Sequence, residues 1–358
     1  KWGWRVNSEG WVNWPDYQWR IYKKDYPKIQ WDGKVHEKIV GYSTYTWLPE
    51  DISLSLQHYK TIKNKKNKII YIMQSSPLTF CISTYNNLPY LKLAIDSVRK
   101  NSYYKDAPFI VHAENCTDGT NEWLFENSYK YNLTLLVEPE NVQVRGIGGG
   151  MNVCAEHVET EYIMFLHSDF YVTKNWDKAL MDIHEKYLNE KLWVNSHRVE
   201  PNMFNNPSQR PGTVIVPPDM FGAYYHDFDF DYFEAWAEDF IRINKDIEIP
   251  KGEGVSGLVK KSVWDEVGGN DPLFSPTSWD DMDLFLRMLQ HGVRFVLPSS
   301  SIVWHFGARG SHRLEENNGQ TSERQRKSEA ENIKKWLAKW EKMPIFDEYG
   351  MVKQFKQQ

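Results

Sequence analysis

A short apolar segment that ends in three polar residues constrains the fold of this chain more than any other feature. Residues 162–166 (YIMFL) are all apolar, rich in strand formers and too few for a typical helix. This pattern is typical of a strand that is buried on both faces of a parallel sheet. His167, Ser168 and Asp169 follow directly, at the point where open α/β sheets bind their ligands. The segment therefore predicts a parallel sheet and a site at its edge.

Alternating strand and helix patterns extend this prediction along the chain. Residues 78–83, 109–113 and 133–137 are predicted as further strands, with apolar residues at helical spacing between them. Strands that alternate with helices in this way predict an α/β fold, with a doubly wound, mostly parallel sheet flanked by helices. Residues 193–255 look irregular apart from a helix near 231–243, and we expect them to form a surface that covers the substrate.

The two ends of the chain fall outside this alternation. Residues 1–70 show no strand–helix rhythm, which predicts a separate small N-terminal segment. Ile333, Trp336, Leu337 and Trp340 recur at helical spacing. This spacing predicts a C-terminal helix whose apolar face packs on the domain.

Charge, cysteine content and hydropathy narrow the function classes. The net charge of −5 argues against a broad nucleic-acid surface. Three cysteines without metal-ligand spacing fit a reducing compartment, so we expect a cytoplasmic location. No apolar run reaches membrane-span length, and the first residues do not form a signal peptide.

The chain begins with Lys, so we expect a fragment or a trimmed chain. The sequence leaves the oligomeric state open.

Polar residues follow several predicted strands, and an acidic group opens a predicted helix. In a doubly wound sheet such strand ends can converge on one crevice. Acids at a helix N-terminus are also stabilised by the helix dipole, so helix stability alone explains the presence of one of these acids. Three carboxylates within residues 280–283 exceed what a helix cap needs. The residues concerned are Thr84, Tyr85, Asn86, Glu114, Asn115, His167, Ser168, Asp169, Asp280, Asp281, Asp283 and His305.

Six segments between residues 77 and 313 carry these residues or lie beside them. In chain order they are FCISTYNNLPYLKLAIDSV, ENCTDGT, RGIGGGMNVCAE, FLHSD, SWDDMDLFLR and VWHFGARGS. Together they resemble the family 2 glycosyltransferases, the inverting sugar-nucleotide enzymes of GT-A fold. FLHSD occupies the place of the metal-binding Asp-X-Asp motif, SWDDMDLFLR resembles the segment that supplies the catalytic base, and VWHFGARGS resembles the late metal-binding His. The resemblance implies a hexosyltransferase that moves a sugar from a nucleotide sugar to a saccharide or another hydroxyl acceptor.

The resemblance also implies roles for individual residues. Asp281 is expected to be the general base, and a divalent cation, Mn²⁺ or Mg²⁺, is expected on Asp169, His305 and His167. The acceptor is expected near Gly257, Trp279 and Asp280. Contacts to the nucleotide sugar are expected from Thr84, Tyr85, Asn86, Glu114, Asn115, Arg145, Gly148, Asn152 and Ser168.

The sequence departs from the family pattern at three positions. His167 replaces the usual first acid of the Asp-X-Asp motif, and Asp280 replaces the usual Glu. The second-strand acid, Glu114, lies one residue from its commonest place. These departures bear on the choice of metal and on the nucleotide contacts rather than on the fold. The Gln-X-X-Arg-Trp motif of processive synthases is absent, which argues against a polymerising membrane synthase.

Two other functions and the domain boundaries stay open on sequence grounds. A nucleotidyltransferase would usually carry an early glycine-rich loop with Arg and Lys, where this chain has TYNNLPY. A non-catalytic nucleotide-sugar or carbohydrate-binding protein is the second alternative.

The segment 1–74 resembles the closing part of a family module, so it is expected to be the tail of a preceding module. The transferase domain is then expected over 75–313 and a helical extension over 314–358.

Overall fold

The computed structural model describes residues 30–32, 38–40, 76–138, 145–202, 213–252, 256–307 and 323–353. The chain divides into two compact units, residues 1–70 and 71–358. In the described part of the first unit, β1 (Gln30–Asp32) pairs with β2 (Lys38–Val40) in antiparallel fashion. Most of the predicted N-terminal segment lies outside the described residues.

The second unit is built on an eight-stranded sheet in which most strands are parallel. Its order is β11-β13-β8-β12-β6-β3-β4-β5. Four neighbouring strands, β6, β3, β4 and β5, run parallel, and β8 runs parallel to β13. Only β12 and β11 run against their described neighbours. The bounds are β3 (Leu78–Thr84), β4 (Phe109–Ala113), β5 (Leu133–Val137), β6 (Tyr162–His167), β8 (Leu192–Val194), β11 (Glu248–Ile249), β12 (Leu258–Lys260) and β13 (Arg294–Pro298).

Helices cover both faces of this sheet, as the alternation of side chains along β3 shows. Phe80 and Ile82 point to one face and pack with apolar residues of α1 and α4. Cys81, between them, belongs to the opposite core with residues of α3, α7 and α8. The predicted doubly wound α/β fold is therefore confirmed. The helices are α1 (Leu88–Asn101), α2 (Thr120–Asn127), α3 (Gly146–Glu156), α4 (Trp176–Lys186), α5 (Pro218–Phe221), α6 (Phe230–Ile243), α7 (Lys261–Val267), α8 (Asp280–Gln290) and α9 (Glu323–Trp340).

Helix α3 lies unusually close to the sheet, and its glycines allow this. A Cβ atom added at Gly150 would lie 2.0 Å from Ser83 Oγ and 2.6 Å from His112 Nδ1. No larger residue fits there without a shift of the helix. The glycine-rich sequence thus brings the start of α3 close to the carboxyl ends of the central strands.

A second, four-stranded sheet has the order β10-β9-β14-β7. Its strands are β7 (Phe170–Val172), β9 (His197–Pro201), β10 (Thr213–Val216) and β14 (Ile302–His305). Residues 193–255 were predicted to be irregular, and this prediction is wrong in part, because β9, β10, β11 and most of β8 form there. Helix α6 overlaps the helix predicted near 231–243 and packs an aromatic cluster on this sheet, including Phe228, Phe233 and Trp304.

The predicted C-terminal helix is α9, and it packs on the second unit. Trp336 is fully buried among Phe274, Leu286 and Val352. A short antiparallel pair follows, formed by β15 (Ile345–Phe346) and β16 (Val352–Lys353). Across the described ranges, none of the helices combines the length and the apolar character that crossing a membrane requires.

Candidate active site

Two histidines and one aspartate converge at the carboxyl end of β6. His167, Asp169 and His305 each place one ligand atom within 4.8 Å of those of the other two. His305 Nε2 lies 3.4 Å from Asp169 Oδ2, and the two imidazole rings are 5.6 Å apart between centroids. Two nitrogens and one carboxylate oxygen at this spacing can hold a divalent cation.

The pairing of two strands brings these residues together from distant parts of the chain. Strand β6 ends at His167, and after a two-residue turn the chain continues as β7. In the ladder between β7 and β14, His305 lies opposite Phe170. The Phe170 ring stacks on His167, with centroids 5.0 Å apart, and meets His305 edge-on at 5.0 Å. Phe170 therefore fixes the relative orientation of the two imidazoles.

A fourth residue, Glu200 on β9, supports His305 from the side away from Asp169. Glu200 Oε1 lies 2.5 Å from His305 Nδ1 and 2.9 Å from Arg198 Nε. Burial acts to raise the pKa of Glu200, but Arg198 and His305 outweigh it and lower the value to about 2. Burial acts to lower the pKa of His305, but the carboxylates of Asp169 and Glu200 raise it to about 9. The carboxylate at Nδ1 leaves Nε2 as the nitrogen that faces Asp169.

His167 differs from His305 in charge. Burial lowers the pKa of His167 to about 4, and the charge of His305 acts in the same direction. A neutral imidazole keeps a lone pair for a metal ion. The three donor groups, with a carboxylate behind one histidine, therefore match the chemistry of a divalent-cation site.

The N-terminus of α8 supplies a pair of adjacent carboxylates. Burial and the neighbouring Asp281 raise the pKa of Asp280 to about 7. Burial also raises the pKa of Asp281, against the opposing charge of Arg198. Arg198 acts on the pKa of His167 and Glu200 as well. The charge of one guanidinium thus acts on both His167 and Asp281.

Asp283, the third acid of this helix, has a structural role. Its carboxylate is fully buried and lies 2.8 Å from Arg287 Nε and 2.5 Å from Lys339 Nζ. It also accepts a hydrogen bond of 2.9 Å from Trp340 Nε1. These contacts fasten α8 to α9, which leaves Asp280 and Asp281 as the carboxylates available for chemistry.

Six of the nine residues predicted to contact the nucleotide sugar lie at or just after the carboxyl ends of β3, β4 and β6. Thr84 is buried, and its Oγ1 has no hydrogen-bond partner among the described residues. Asn86 accepts a hydrogen bond of 2.6 Å from the backbone N–H of Thr117. Ser168 accepts one of 2.8 Å from Asn87 Nδ2. Tyr85 and Asn115 lie on the same strand ends.

Glu114 and Arg145 join the end of β4 to the start of α3. The Glu114 carboxylate accepts hydrogen bonds from the backbone N–H groups of Arg145 and Gly146. The guanidinium of Arg145 pairs with Glu138, 2.8 Å from Nε to Oε1. The Glu114 carboxylate and the Arg145 guanidinium are therefore already bonded within the protein. A nucleotide that contacts either group has to do so in addition to these bonds or in place of them.

Four other predicted residues have contacts that explain their identity by packing. The side-chain amide of Asn152 donates a hydrogen bond of 2.8 Å to Asn270 O and accepts one of 2.9 Å from the backbone N–H of Asn270. A Cβ at Gly148 would lie 3.2 Å from Asp280 Oδ2, and one at Gly257 would lie 2.6 Å from the Trp193 ring. Trp279 packs on Trp336 of α9, with ring centroids 5.3 Å apart.

Residues 79–238 match the family described as "Glycosyl transferase family 2". The match begins in β3 and includes His167, Asp169, Arg198 and Glu200. No curated protein matches the sequence.

Solved structures of glycosyltransferases are similar at low identity. The Staphylococcus aureus (S. aureus) TarS structure has 14% identity and a TM-score of 0.43, covering 64% of this chain and 36% of that chain. The TarS fragment 1–349 in complex with UDP-GlcNAc has 15% identity and a TM-score of 0.44, covering 73% and 72%. GalNAc-T7 with UDP, GalNAc and Mn²⁺ has 14% identity and a TM-score of 0.47, covering 64% and 43%. The chain thus spans about a third of the TarS chain and under half of GalNAc-T7.

Proposed function

We infer that this chain is a glycosyltransferase, because residues 79–238 match glycosyl transferase family 2. We propose that it is metal-dependent and inverting, and moves a hexose from a nucleotide sugar to a hydroxyl of a saccharide or similar acceptor. The observation that carries the proposal is the cluster of His167, Asp169 and His305, whose ligand atoms lie within 4.8 Å of one another.

The cation is proposed to be Mn²⁺ or Mg²⁺, with the nitrogen donors favouring Mn²⁺. When bound, it supplies a Lewis acid that neutralises the negative charge developing on the leaving diphosphate. His167, Asp169 and His305 would hold it, and Glu200 keeps His305 oriented through the 2.5 Å contact at Nδ1. Arg198, which lies beside Glu200, adds a fixed positive charge on the same side.

Asp281 is proposed as the general base. The acceptor hydroxyl forms the new bond to the anomeric carbon, its proton passes to the Asp281 carboxylate, and the bond to the nucleoside diphosphate breaks on the opposite face. Attack on the face opposite the leaving nucleoside diphosphate inverts the anomeric carbon. Burial raises the pKa of Asp281 and so makes it a better base, and such catalysis contributes about 10²–10⁴-fold in rate.

The remaining predicted residues divide into three proposed groups. Thr84, Tyr85, Asn86, Asn115 and Ser168 surround the base and ribose, and the unpartnered Oγ1 of Thr84 supports this for one of them. Glu114, Arg145, Gly148 and Asn152 hold the start of α3 against the donor. Gly257, Trp279 and Asp280 are proposed to border the acceptor.

Domain limits and location are further parts of the proposal. The transferase domain is placed at 75–313, with 1–74 as the tail of a preceding module and 314–358 as a helical extension. The division of the chain into units 1–70 and 71–358 supports the first boundary. The cytoplasm is proposed as the location, because Cys81, Cys116 and Cys154 are free thiols, as a reducing compartment would keep them.

Donor binding and transfer test the proposal together. Thermal shifts are measured with UDP, GDP, CDP and dTDP sugars, each with Mn²⁺ and with EDTA, followed by detection of released nucleoside diphosphate. Wild type is compared with Asp169→Ala and with Asp219→Asn, which removes an exposed acid outside the site. We expect one nucleotide to give a metal-dependent shift and turnover, both lost only in Asp169→Ala.

Other outcomes would contradict the metal assignment or favour one of the two alternative functions. A shift that persists in EDTA and in Asp169→Ala would remove the metal assignment. Binding without any release of nucleoside diphosphate in the presence of candidate acceptors would favour a non-catalytic binding protein. Release of pyrophosphate from nucleoside triphosphates and sugar phosphates would favour a nucleotidyltransferase.

A further inference from the structure

The loop of residues 274–279, which precedes α8, is in contact with two parts of the proposed site. At its C-terminal end it leads directly into Asp280 and Asp281. On its other side it touches the start of α3: Ser275 Oγ donates a hydrogen bond of 2.7 Å to Arg145 O, and Pro276 O accepts one of 3.2 Å from Ile147 N. The position of this loop therefore determines the spacing between α3 and the α8 carboxylates.

The end of this loop has a backbone conformation that needs support. Ser278 and Trp279 have φ values of +75° and +70°, in the left-handed region that non-glycine residues rarely adopt. Trp279 occupies the N-cap of α8 without a capping hydrogen bond from its side chain. Such a conformation persists only when surrounding contacts hold it.

One side chain of α9 supplies most of this support. Asn332 is 1% exposed, and its Nδ2 lies 2.7, 2.8 and 2.9 Å from the carbonyl oxygens of Phe274, Thr277 and Ser278. An amide NH₂ has two hydrogens, so three acceptors use its donor capacity completely. Ser328 Oγ adds a bond of 2.6 Å to Thr277 O, and Gln325 Nε2 adds one of 2.8 Å to Ser278 Oγ.

The same helix also holds the other side of the catalytic carboxylates. Lys339 and Trp340, further along α9, contact Asp283, two residues after Asp281. Asp281 therefore lies between two attachments to α9, one at the preceding loop and one at the first turn of α8. Because no part of α9 touches Asp281 in the described contacts, the effect has to pass through the backbone.

We propose that Asn332 is a positioning residue for transfer, which holds the 274–279 loop so that Asp281 faces the acceptor and α3 keeps its distance from α8. The proposal rests on the proposed function, in which Asp281 is the base. It assigns the C-terminal helix a part in the reaction beyond packing. A displacement of about 1 Å at a reacting group can lower a rate by about 10²-fold.

The chain offers a matched control in Asn101, at the end of α1. Its Nδ2 also lies near three acceptors, at 3.2 Å from Tyr171 OH, 2.7 Å from Val172 O and 3.0 Å from Glu234 Oε1. It is 8% exposed and makes no described contact with the 274–279 loop. Asn332→Asp and Asn101→Asp each replace three amide contacts by a carboxylate of the same shape, so both are expected to lower the melting temperature.

The experiment measures kcat and KM per folded molecule, together with hydrogen–deuterium exchange of the 275–282 backbone. We expect Asn332→Asp to lower kcat by about 10-fold to 100-fold, to change the donor KM less than threefold, and to speed exchange in 275–282. Asn101→Asp should keep kcat within about threefold of wild type. Ser328→Ala, which loses one bond to the loop, should fall between them and provides a test if Asn332→Asp does not fold.

Equal kcat losses in the Asn332 and Asn101 variants, or an unchanged kcat in folded Asn332→Asp and Ser328→Ala, would overturn the proposal. A wild-type chain that transfers no sugar would instead remove the proposed function. The exchange measurement would then still decide whether Asn332 holds the loop, because unchanged exchange in 275–282 contradicts that role without any assay of activity.

Discussion

His305 Nδ1 and Glu200 Oε1 lie 2.5 Å apart across the parallel strands β14 and β9. The register of these strands places Trp304 beside Val199, so the next residue on each strand meets its partner at the edge of the small sheet. A carboxylate at one ring nitrogen of a metal-binding histidine fixes the ring and raises the basicity of the other nitrogen. Glu200 is thus placed to support the proposed cation site without being one of its three ligands.

Glu200→Gln tests this arrangement. The amide keeps the shape of the side chain but removes the charge that holds His305, so we expect the affinity for Mn²⁺ to fall by about 10-fold to 100-fold. Isothermal titration of Mn²⁺ into the protein, with no donor or acceptor present, measures this directly. Glu266→Gln, a change of the same kind at an exposed residue, should leave the affinity unchanged. Equal affinities for both variants would contradict a supporting role for Glu200.

Asp281→Asn tests the base. The amide cannot accept the acceptor's proton, so we expect kcat to fall by about 10²–10⁴-fold, with donor affinity within threefold of wild type. Steady-state rates and donor titrations give the two quantities. Asp219→Asn serves as the control for loss of an acid. A variant that keeps more than a tenth of the wild-type kcat would show that another group accepts the proton.

Asp280→Asn separates the two neighbouring carboxylates. Burial and the neighbouring Asp281 raise the pKa of Asp280 to about 7, and its Oδ2 would be 3.2 Å from a Cβ at Gly148 of the glycine-rich helix. We expect a smaller loss of kcat than in Asp281→Asn, because this group orients the site rather than receiving the proton. A larger loss in Asp280→Asn than in Asp281→Asn would exchange the two roles.

Much of the fold could be predicted because short runs of neighbouring residues are enough to recognise its strands and helices. Each buried strand of the parallel half, such as β3 and β6, is a short apolar run with no competing helical period. The three cluster residues were found by the same reasoning, because His167 and His305 each end a strand and Asp169 follows the first. Their meeting depends on the β7–β14 ladder, which no single position in the sequence shows.

The strands of residues 193–255 were missed for physical reasons. In β9 (HRVEP) the side chains alternate between buried and half-buried, but the half-buried positions hold Arg198 and Glu200, and the strand ends in proline. A strand with two charged side chains has no apolar pattern by which it could be recognised. Glu200 was therefore not assigned to the cluster, since its partner lies 105 positions away along the chain.

The sequence also did not predict the contacts that single polar side chains make. Asn332 is one of several polar residues on α9, and nothing in the sequence shows that its amide reaches three carbonyls more than 50 positions earlier. Glu114 was predicted to hold the nucleotide, but the structure adds that backbone N–H groups of α3 use its carboxylate. Such long-range hydrogen bonds depend on packing that no local pattern records.

Gly150→Ala tests the close approach of α3 to the sheet. The added methyl group would lie 2.0 Å from Ser83 Oγ, so the helix or the strands have to move, and overpacking of this kind destabilises by about 1–3 kcal/mol. Gly148→Ala is the matched comparison, because its nearest contact is 3.1 Å and alanine favours a helix by about 1 kcal/mol over glycine. Urea denaturation should therefore rank Gly150→Ala well below Gly148→Ala. Equal free energies of unfolding would contradict the close contact.

His184 predicts a pH dependence of stability. It is 2% exposed, with Nε2 3.1 Å from Leu258 O, and burial lowers its pKa to about 4. The folded state therefore favours the neutral ring, whereas the unfolded chain takes up a proton near the ordinary value of about 6.5. The stabilisation is complete above about pH 6.5 and is lost as the pH falls towards 4. At 1.36 kcal/mol per pKa unit, the loss amounts to about 3 kcal/mol.

The comparison of wild type with His184→Gln isolates this contribution, because the other titrating groups are shared. His184→Gln should be less stable than wild type at pH 7.5, and the difference should shrink by about 3 kcal/mol between pH 6.5 and 4. Urea denaturation at several pH values in that window gives the free energies. His157→Gln, at an exposed histidine, should follow the wild-type slope. A difference between wild type and His184→Gln that stays constant over the window would show that His184 takes up its proton in both states alike.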